Sequence, residues 1–489
     1  MSPLTAITGL YSQGLLYGGP VVLIWSWVFT GAVTILVGLA MSELSSAFPV
    51  SGGLYFWSFM LAGKYGPVAS WCVGWINLLG QIAFVAGNTY TFVEVLAAMM
   101  YLATQDQPSG GYSPSNSMQL YIYGGLLVIY ASVNTFTLKS LTQVARIGAI
   151  WQVAGAFVIA VTLLSVAEKR QKWSWVLTDF EPNPASGITS PGYICLLGLL
   201  TACWSFTGYD SAAHLIEETI SGDLTAGWPM LYAIITSFTV GLLYLLSLTA
   251  TIQDITTFTD PSAELATVSY VAQIMWDAFE SRYSSGHASL VLMMVPLGSC
   301  WFCGLLSVTS ASRMLYGFSR DQAVPFWRIW THVDAHSGVP VNAVWGVVAG
   351  AFVMSLPLLQ GVTAFLATTS IATVGLALAY GMPIGLHLIN RNSFEPGPFT
   401  LGRWSFSVGL IAFIWLMFTS VIFMLPGIYP ITSVTLNYAP VAIGGVLLLI
   451  AAAWVLSAQF WFSGPKIEVD NSDIVKVNYW ISDPPRHGV

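Results

Sequence analysis

Residues 201–219, TACWSFTGYDSAAHLIEET, place a glycine, an acid and a histidine inside an apolar stretch long enough to cross a bilayer. Gly208 weakens a helix by about 1 kcal/mol relative to Ala, and the Thr207 hydroxyl can bond back to a carbonyl one turn earlier. Asp210 is an acid at a depth where hydrocarbon makes charge costly, which by default marks a functional site. A helix broken there frees N–H and C=O groups for a ligand, and half-helix dipoles add to its binding. These residue types suit reversible binding of a small polar solute. The candidate binding segment is Trp204, Ser205, Phe206, Thr207, Gly208, Tyr209 and Asp210. The structural alternative is an ordinary glycine contact between intact helices.

Further polar residues punctuate the apolar runs. His214 follows one turn after Asp210, with Glu217 three residues on and Glu218 beside it. An H-x-x-E spacing could hold a metal, but no second His stands within a turn, so no metal site is expected. Glu217, Glu218 and Asp223 read instead as an acidic cytosolic mouth or a solvated helix end. Glu94 is the sole charge in 68–103. It is either a proton or cation site, or a charge reaching the outer interface. Asn77, Gln81 and Asn88 share a face with one another by their spacing, and that polar stripe must face protein or water. Asn77, Gln81 and Glu94 are therefore the candidate pocket or coupling residues. Glu43 ends a span, and the PVSGG turn after it (49–53) reads as a re-entrant loop or as a helix stop before an amphipathic surface helix. Arg146 and Gln152 are further polar candidates, with Arg146 read as snorkelling to the inner face.

Composition fixes the class. Of 489 residues, 55% are hydrophobic and only 8% charged, against about 25% charged in a soluble domain. The apolar runs are continuous rather than alternating, which argues for an all-α polytopic membrane protein and against a barrel. There is no basic patch, so no nucleic-acid partner is expected. The five cysteines all fall in apolar spans and imply no disulfide framework. Cys300-Trp-Phe-Cys303 has redox spacing without a βαβ context and reads as helix packing. No positively charged leader precedes the first apolar run. The chain lacks G-x-x-x-x-G-K-[ST], H-E-x-x-H and G-x-S-x-G, so no cofactor, ATP site or enzyme chemistry is expected.

The elements that must hold these residues are twelve spans. The first, 3–16, is long enough for only half a crossing. The others are 20–44, 68–103, 119–138, 143–167, 191–215, 228–251, 288–317, 341–358, 361–389, 405–425 and 437–461. The 68–103 run exceeds one upright helix and predicts either a tilted helix with an extension or two short passes. A single transmembrane domain thus covers 1–461, and 462–489 forms a cytosolic C-terminal tail. With both ends in the cytosol, eleven of the 15 basic residues face inside. The other four, Lys169, Arg170, Lys172 and Arg282, lie in the longer outside loops 166–190 and 252–286.

Three stretches carry a family resemblance: MSELSSAFPVSGGLYFW (41–57), WSFTGYDSAAHLIEET (204–219), and SRMLYGFSRDQAVPFWR with VPVNAVW (312–328, 339–345). With GPFTLGRWS (397–405), LPGIYPIT (425–432) and FSGPK (462–466), the chain resembles the amino acid–polyamine–organocation (APC) superfamily of permeases. It is most similar to the amino-acid/choline branch that holds fungal GABA and choline permeases. The resemblance implies a five-plus-five inverted repeat with two extra C-terminal helices, and helices 1 and 6 unwound at mid-membrane. The helix 6 break falls at Ser205 to Asp210, with Trp204 or Phe206 as gate aromatic. It also implies that Met1 falls near where helix 1 unwinds, so that the polar tail and first half-helix of relatives would be absent. Either the chain is then a shortened form or it is inactive.

The expectation is a secondary transporter for amino acids or related amines such as GABA, working by alternating access in a lipid bilayer. Proton coupling is motivated by Asp210 and Glu94. Choline or a polyamine is the alternative substrate, and a non-transporting receptor or scaffold the alternative of another class. The expected residence is the plasma membrane, with the vacuolar or another organellar membrane as the alternative.

Overall fold

The computed structural model describes residues 1–107, 110–181, 186–216, 227–255, 258, 269–334, 337–357, 362–391, 394–432 and 435–466. Among them there is no strand. In chain order the helices are α1 (Pro3–Leu16), α2 (Gly19–Ala47), α3 (Leu54–Leu61), α4 (Gly66–Thr104), α5 (Asn116–Asn134), α6 (Leu138–Val166), α7 (Trp173–Thr178), α8 (Pro191–Ser205), α9 (Ser211–His214), α10 (Trp228–Ala250), α11 (Tyr270–Tyr283), α12 (Ser289–Arg320), α13 (Trp327–Trp330), α14 (Val341–Ser355), α15 (Val362–Ile389), α16 (Ser405–Ile422) and α17 (Ala439–Leu456). Eight of them (α2, α4, α6, α10, α12, α15, α16 and α17) are long and apolar enough to cross a membrane. The apolar helices α8 and α14 are shorter.

Local sequence explains where these helices start. Ser2 caps α1 by accepting from the Thr5 N–H at 3.3 Å, with Pro3 in the first turn. Proline also occupies the first turn of α2, α4, α8, α10 and α17, where a missing N–H costs nothing. The run 68–103 resolves as one continuous 39-residue helix, α4, rather than two passes. After the PVSGG turn comes α3, whose Leu54, Tyr55, Trp57, Ser58 and Leu61 are all buried. It is thus a core helix against α4 and α15, and not an amphipathic surface helix. Its residues are apolar almost all round, as a buried helix requires. The two long connections carry helices of their own, α7 and α11.

Backbones come close where side chains are small. A Cβ on Gly375 of α15 would lie 3.5 Å from the Gly80 Cα of α4, so these two helices cross at backbone contact. That crossing brings Gln81 and Tyr380, on the two helices, towards the same space.

Several charges prove structural. Glu43 is buried and accepts from the Leu401 N–H (2.9 Å), Thr400 Oγ1 (3.1 Å) and Ser405 Oγ (2.7 Å), so it holds the start of α16. Asp321, at the end of α12, accepts from the Tyr55 hydroxyl at 2.8 Å and from the Lys466 N–H at 2.9 Å. Phe462 packs on Trp71 and Phe318, so the chain beyond α17 is strapped back onto the bundle as far as Lys466. The remaining tail, 467–489, lies outside the described residues.

In α11, Gln273 Nε2 donates to Asp277 Oδ1 at 2.6 Å, yet burial pushes the Asp277 carboxyl up to about 6. The folded state then holds this proton more tightly than the unfolded chain does. Its stabilising contribution is fully present below the ordinary carboxylate range and is lost as pH rises through about 6. The detergent-solubilised protein should therefore gain melting temperature between about pH 7.5 and about pH 5 from this group. Asp277→Asn should remove that increment, measured by thermal unfolding at both pH values.

Candidate functional site

The helix that begins at Pro191 stops at Ser205, and α9 begins only at Ser211. Gly208 sits between them at φ +90°, a left-handed backbone that L side chains rarely adopt. Two hydroxyls turn back to carbonyls one turn earlier: Ser205 Oγ to Thr201 O at 2.8 Å and Thr207 Oγ1 to Cys203 O at 2.9 Å. They satisfy the last turn of α8 as the helix ends. The aromatic residues of the break face different neighbours. Trp204 packs on Phe84 of α4 with centroids 5.3 Å apart, Phe206 on Trp27 of α2 at 4.5 Å, and Tyr209 on Tyr380 of α15 at 5.0 Å. The unwound segment is thus clamped from three helices.

Asp210 lies at the centre and is fully buried. Gln81 Nε2 donates to its Oδ2 at 2.7 Å, and the Tyr380 hydroxyl donates to its Oδ1 at 2.8 Å. His214 Nε2 stands 3.4 Å from Oδ2. One carboxylate therefore ties α4, α9 and α15 together, and a buried carboxylate needs several donors. His214 Nδ1 lies 3.2 Å from the carbonyl oxygen of Ser51. A carbonyl only accepts, so Nδ1 carries a proton. Nε2 is then either a lone pair facing Asn77 Nδ2 at 3.4 Å, or a second N–H facing Asp210. Asn77 Oδ1 is buried without a partner, and a half-turn of that amide would offer it to an Nε2–H.

The residues expected from the sequence fall into two groups. Asn77, Gln81, Asp210 and His214 meet in one cluster, with Trp204, Ser205, Phe206, Thr207, Gly208 and Tyr209 forming the break around it. Asn88 turns its amide to the Phe84 carbonyl of its own helix, and Gln152 donates to Ser2 Oγ at 2.6 Å. Arg146 is exposed. Glu94 follows Gln81 by 13 residues on α4, about 20 Å along the axis. It stands apart from the cluster, with Oε2 buried and unpartnered. Glu217, Glu218 and Asp223 lie outside the described residues. Two partners escaped the sequence reading: Tyr380 and the Ser51 carbonyl. Tyr380 is the lone tyrosine of the 361–389 run, and a buried tyrosine hydroxyl usually finds a partner; that was the available signal. Among the described residues no group of three His, Cys, Asp or Glu could hold a metal, and the cysteines are unpaired.

Comparison with known proteins adds the family. The model for the family described as amino acid permease matches residues 2–448. The chain is 40% identical over 470 residues to amino-acid permease BAT1 of Arabidopsis thaliana, covering 95% of this chain and 90% of the relative. It is 31% identical over 463 residues to an uncharacterized amino-acid permease of Schizosaccharomyces pombe, covering 94% and 83%. It is 28% identical over 484 residues to the GABA-specific permease of Saccharomyces cerevisiae, covering 97% and 82%.

Proposed function

The chain belongs to the amino acid permease family, and on that premise we propose that the break between α8 and α9 binds the amino compound and that Asp210 responds to protons during transport. A multi-pass transporter in a bilayer must expose its site to each side in turn. The observation that carries the reading is the Asp210 cluster: one buried carboxylate holds α4, α9 and α15 at the point where the chain is unwound. Changing its protonation changes which helices are joined, which is what coupling a proton to a conformational step requires. Glu94, half-buried with one buried and unpartnered oxygen, is the second acid of this proposal.

Amino acids are the first substrates to try, and GABA is next, through the resemblance to the yeast permease. Choline and polyamines are the alternatives to be tested beside them. The bias of Lys and Arg supports a cytosolic C-terminus, and the plasma membrane is the proposed residence. Uptake of labelled amino acids, GABA, choline and a polyamine into permease-deficient cells is the test. Saturable uptake of an amino acid or GABA is expected. Uptake of choline or polyamine alone would overturn the substrate class, and binding without flux would favour a receptor.

A narrower prediction concerns His214. His214→Gln keeps a polar group beside Asn77 and Asp210 but removes the imidazole, the one side chain of the cluster that can carry a positive charge. Uptake should persist with a flattened dependence on external pH. An unchanged pH profile, read from initial rates, would remove His214 from the proton-responsive group.

A further inference from the structure

Next to the break lies a small cavity of about 30 Å³, walled by α2, the end of α8, α15, α16 and the unwound segment. Among apolar side chains such as Trp415 and Leu416, its wall carries hydroxyls unusual for a membrane interior: Thr30 and Thr34 of α2, Thr207 of the break, Thr373 and Tyr380 of α15, and Thr419 of α16. The spacings place these groups on single helix faces, Thr30 with Thr34 and Thr373 with Tyr380. Thr30 Oγ1 is buried and meets no hydrogen-bonding protein group stronger than the Cys203 thiol. Dry cavities in proteins are apolar, whereas a polar one of this size holds water, which satisfies such orphaned groups. No residue of α4 contributes to the wall, so the cavity meets the break from another direction than Gln81 and Asn77 do. Tyr380 belongs both to this wall and to the Asp210 cluster, donating to Oδ1 at 2.8 Å.

We infer that this threonine-lined cavity is a water site and that Tyr380 links it to Asp210, giving the acid a proton route separate from the α4 side of the break. The inference rests on the reading of Asp210 as proton-responsive. The step balances simply. A hydronium in the cavity gives a proton to the Tyr380 oxygen as the phenol passes its own proton to Asp210 Oδ1. Water, a neutral phenol and a carboxylic acid remain, and the reverse sequence discharges the acid. The titratable groups facing Asp210 are His214 on its own segment, Tyr209 in the break and Tyr380 on α15; α4 presents the amides of Asn77 and Gln81. From α12, Met314 touches Asn77.

Two measurements on the full chain test this. Radiolytic hydroxyl labelling with mass spectrometry reads water beside Cys203 and Trp415, which both line the cavity. Labelling of both should drop several-fold in the double variant Thr30→Val, Thr419→Val, while labelling elsewhere stays as in the parent. Equal labelling in parent and variant would overturn the water site. In reconstituted vesicles, the same variant should lose several-fold in proton-driven net uptake while solute-for-solute exchange is retained. Unchanged net uptake would overturn the proton route. A parent whose uptake ignores pH would sink the coupling reading and the route with it, while the labelling contrast still decides the water site. Retained exchange also shows that the variant is folded.

Discussion

Gly208→Val should cut uptake roughly tenfold or more at unchanged surface level, while Gly208→Ala should leave a less weakened transporter. The glycine holds φ +90° in the middle of the break, and a side chain there is strained whatever the space. A left-handed backbone costs an L-residue about 1–2 kcal/mol, and a β-branched one fares worse. Space is also short. A Cβ would lie 3.2 Å from two ring carbons of Phe84, and that ring is itself held against Trp204. Relief by straightening the segment into helix would carry Tyr209 and Asp210 away from Tyr380 and Gln81. A loss of roughly tenfold or more follows for valine, at about 1.4 kcal/mol per factor of ten. Initial rates normalised to surface-labelled protein check it. A valine variant near parental rate would mean that the break is not needed for transport.

Asp210→Asn should be as damaging by a different route. The amide matches the carboxylate in shape but offers one acceptor oxygen where the acid offers two. Gln81 Nε2 and the Tyr380 hydroxyl both donate to this group, one to each oxygen. One of them must then face an NH2 in a buried place. Hydrogen bonds to a charged group contribute about 1.5–3 kcal/mol each, and a stranded buried donor costs a comparable amount. Uptake should fall roughly tenfold to a hundredfold, and what remains should no longer follow pH. Tyr380→Phe, which removes one donor and leaves the carboxylate, should fall between the parent and Asp210→Asn. Rates measured across a pH series at matched surface level separate the three.

What the sequence made legible follows from the solvent. Lipid forbids unpaired backbone and unpaired charge. A glycine next to an acid inside a span, as at Gly208 and Asp210, therefore has few explanations. The spacing of four between Asn77 and Gln81 likewise fixed one face of α4. What no spacing reveals is how far each helix is rotated toward a neighbour many residues away. Tyr380 is 170 residues from Asp210, and its meeting with the carboxylate depends on the close crossing of α4 and α15. The same limit hid the Ser51 carbonyl beneath His214 and the role of Glu43, which in sequence only ends a span but in the fold holds the start of α16. The 49–61 stretch is ambiguous in sequence because a turn followed by a mostly apolar eight-residue segment fits several depths, and only packing shows α3 to be buried.

The central claim is that the buried Asp210 cluster couples a proton to movement of an amino compound through the break. Proteoliposomes holding the purified full chain and a trapped pH indicator test it most directly, with the solute identified by the uptake panel added outside. The account predicts solute-dependent acidification of the lumen by the parent chain and none by Asp210→Asn, although the variant still binds the solute. Equal acidification by the two proteins, or solute entry by the parent without any proton, would contradict it.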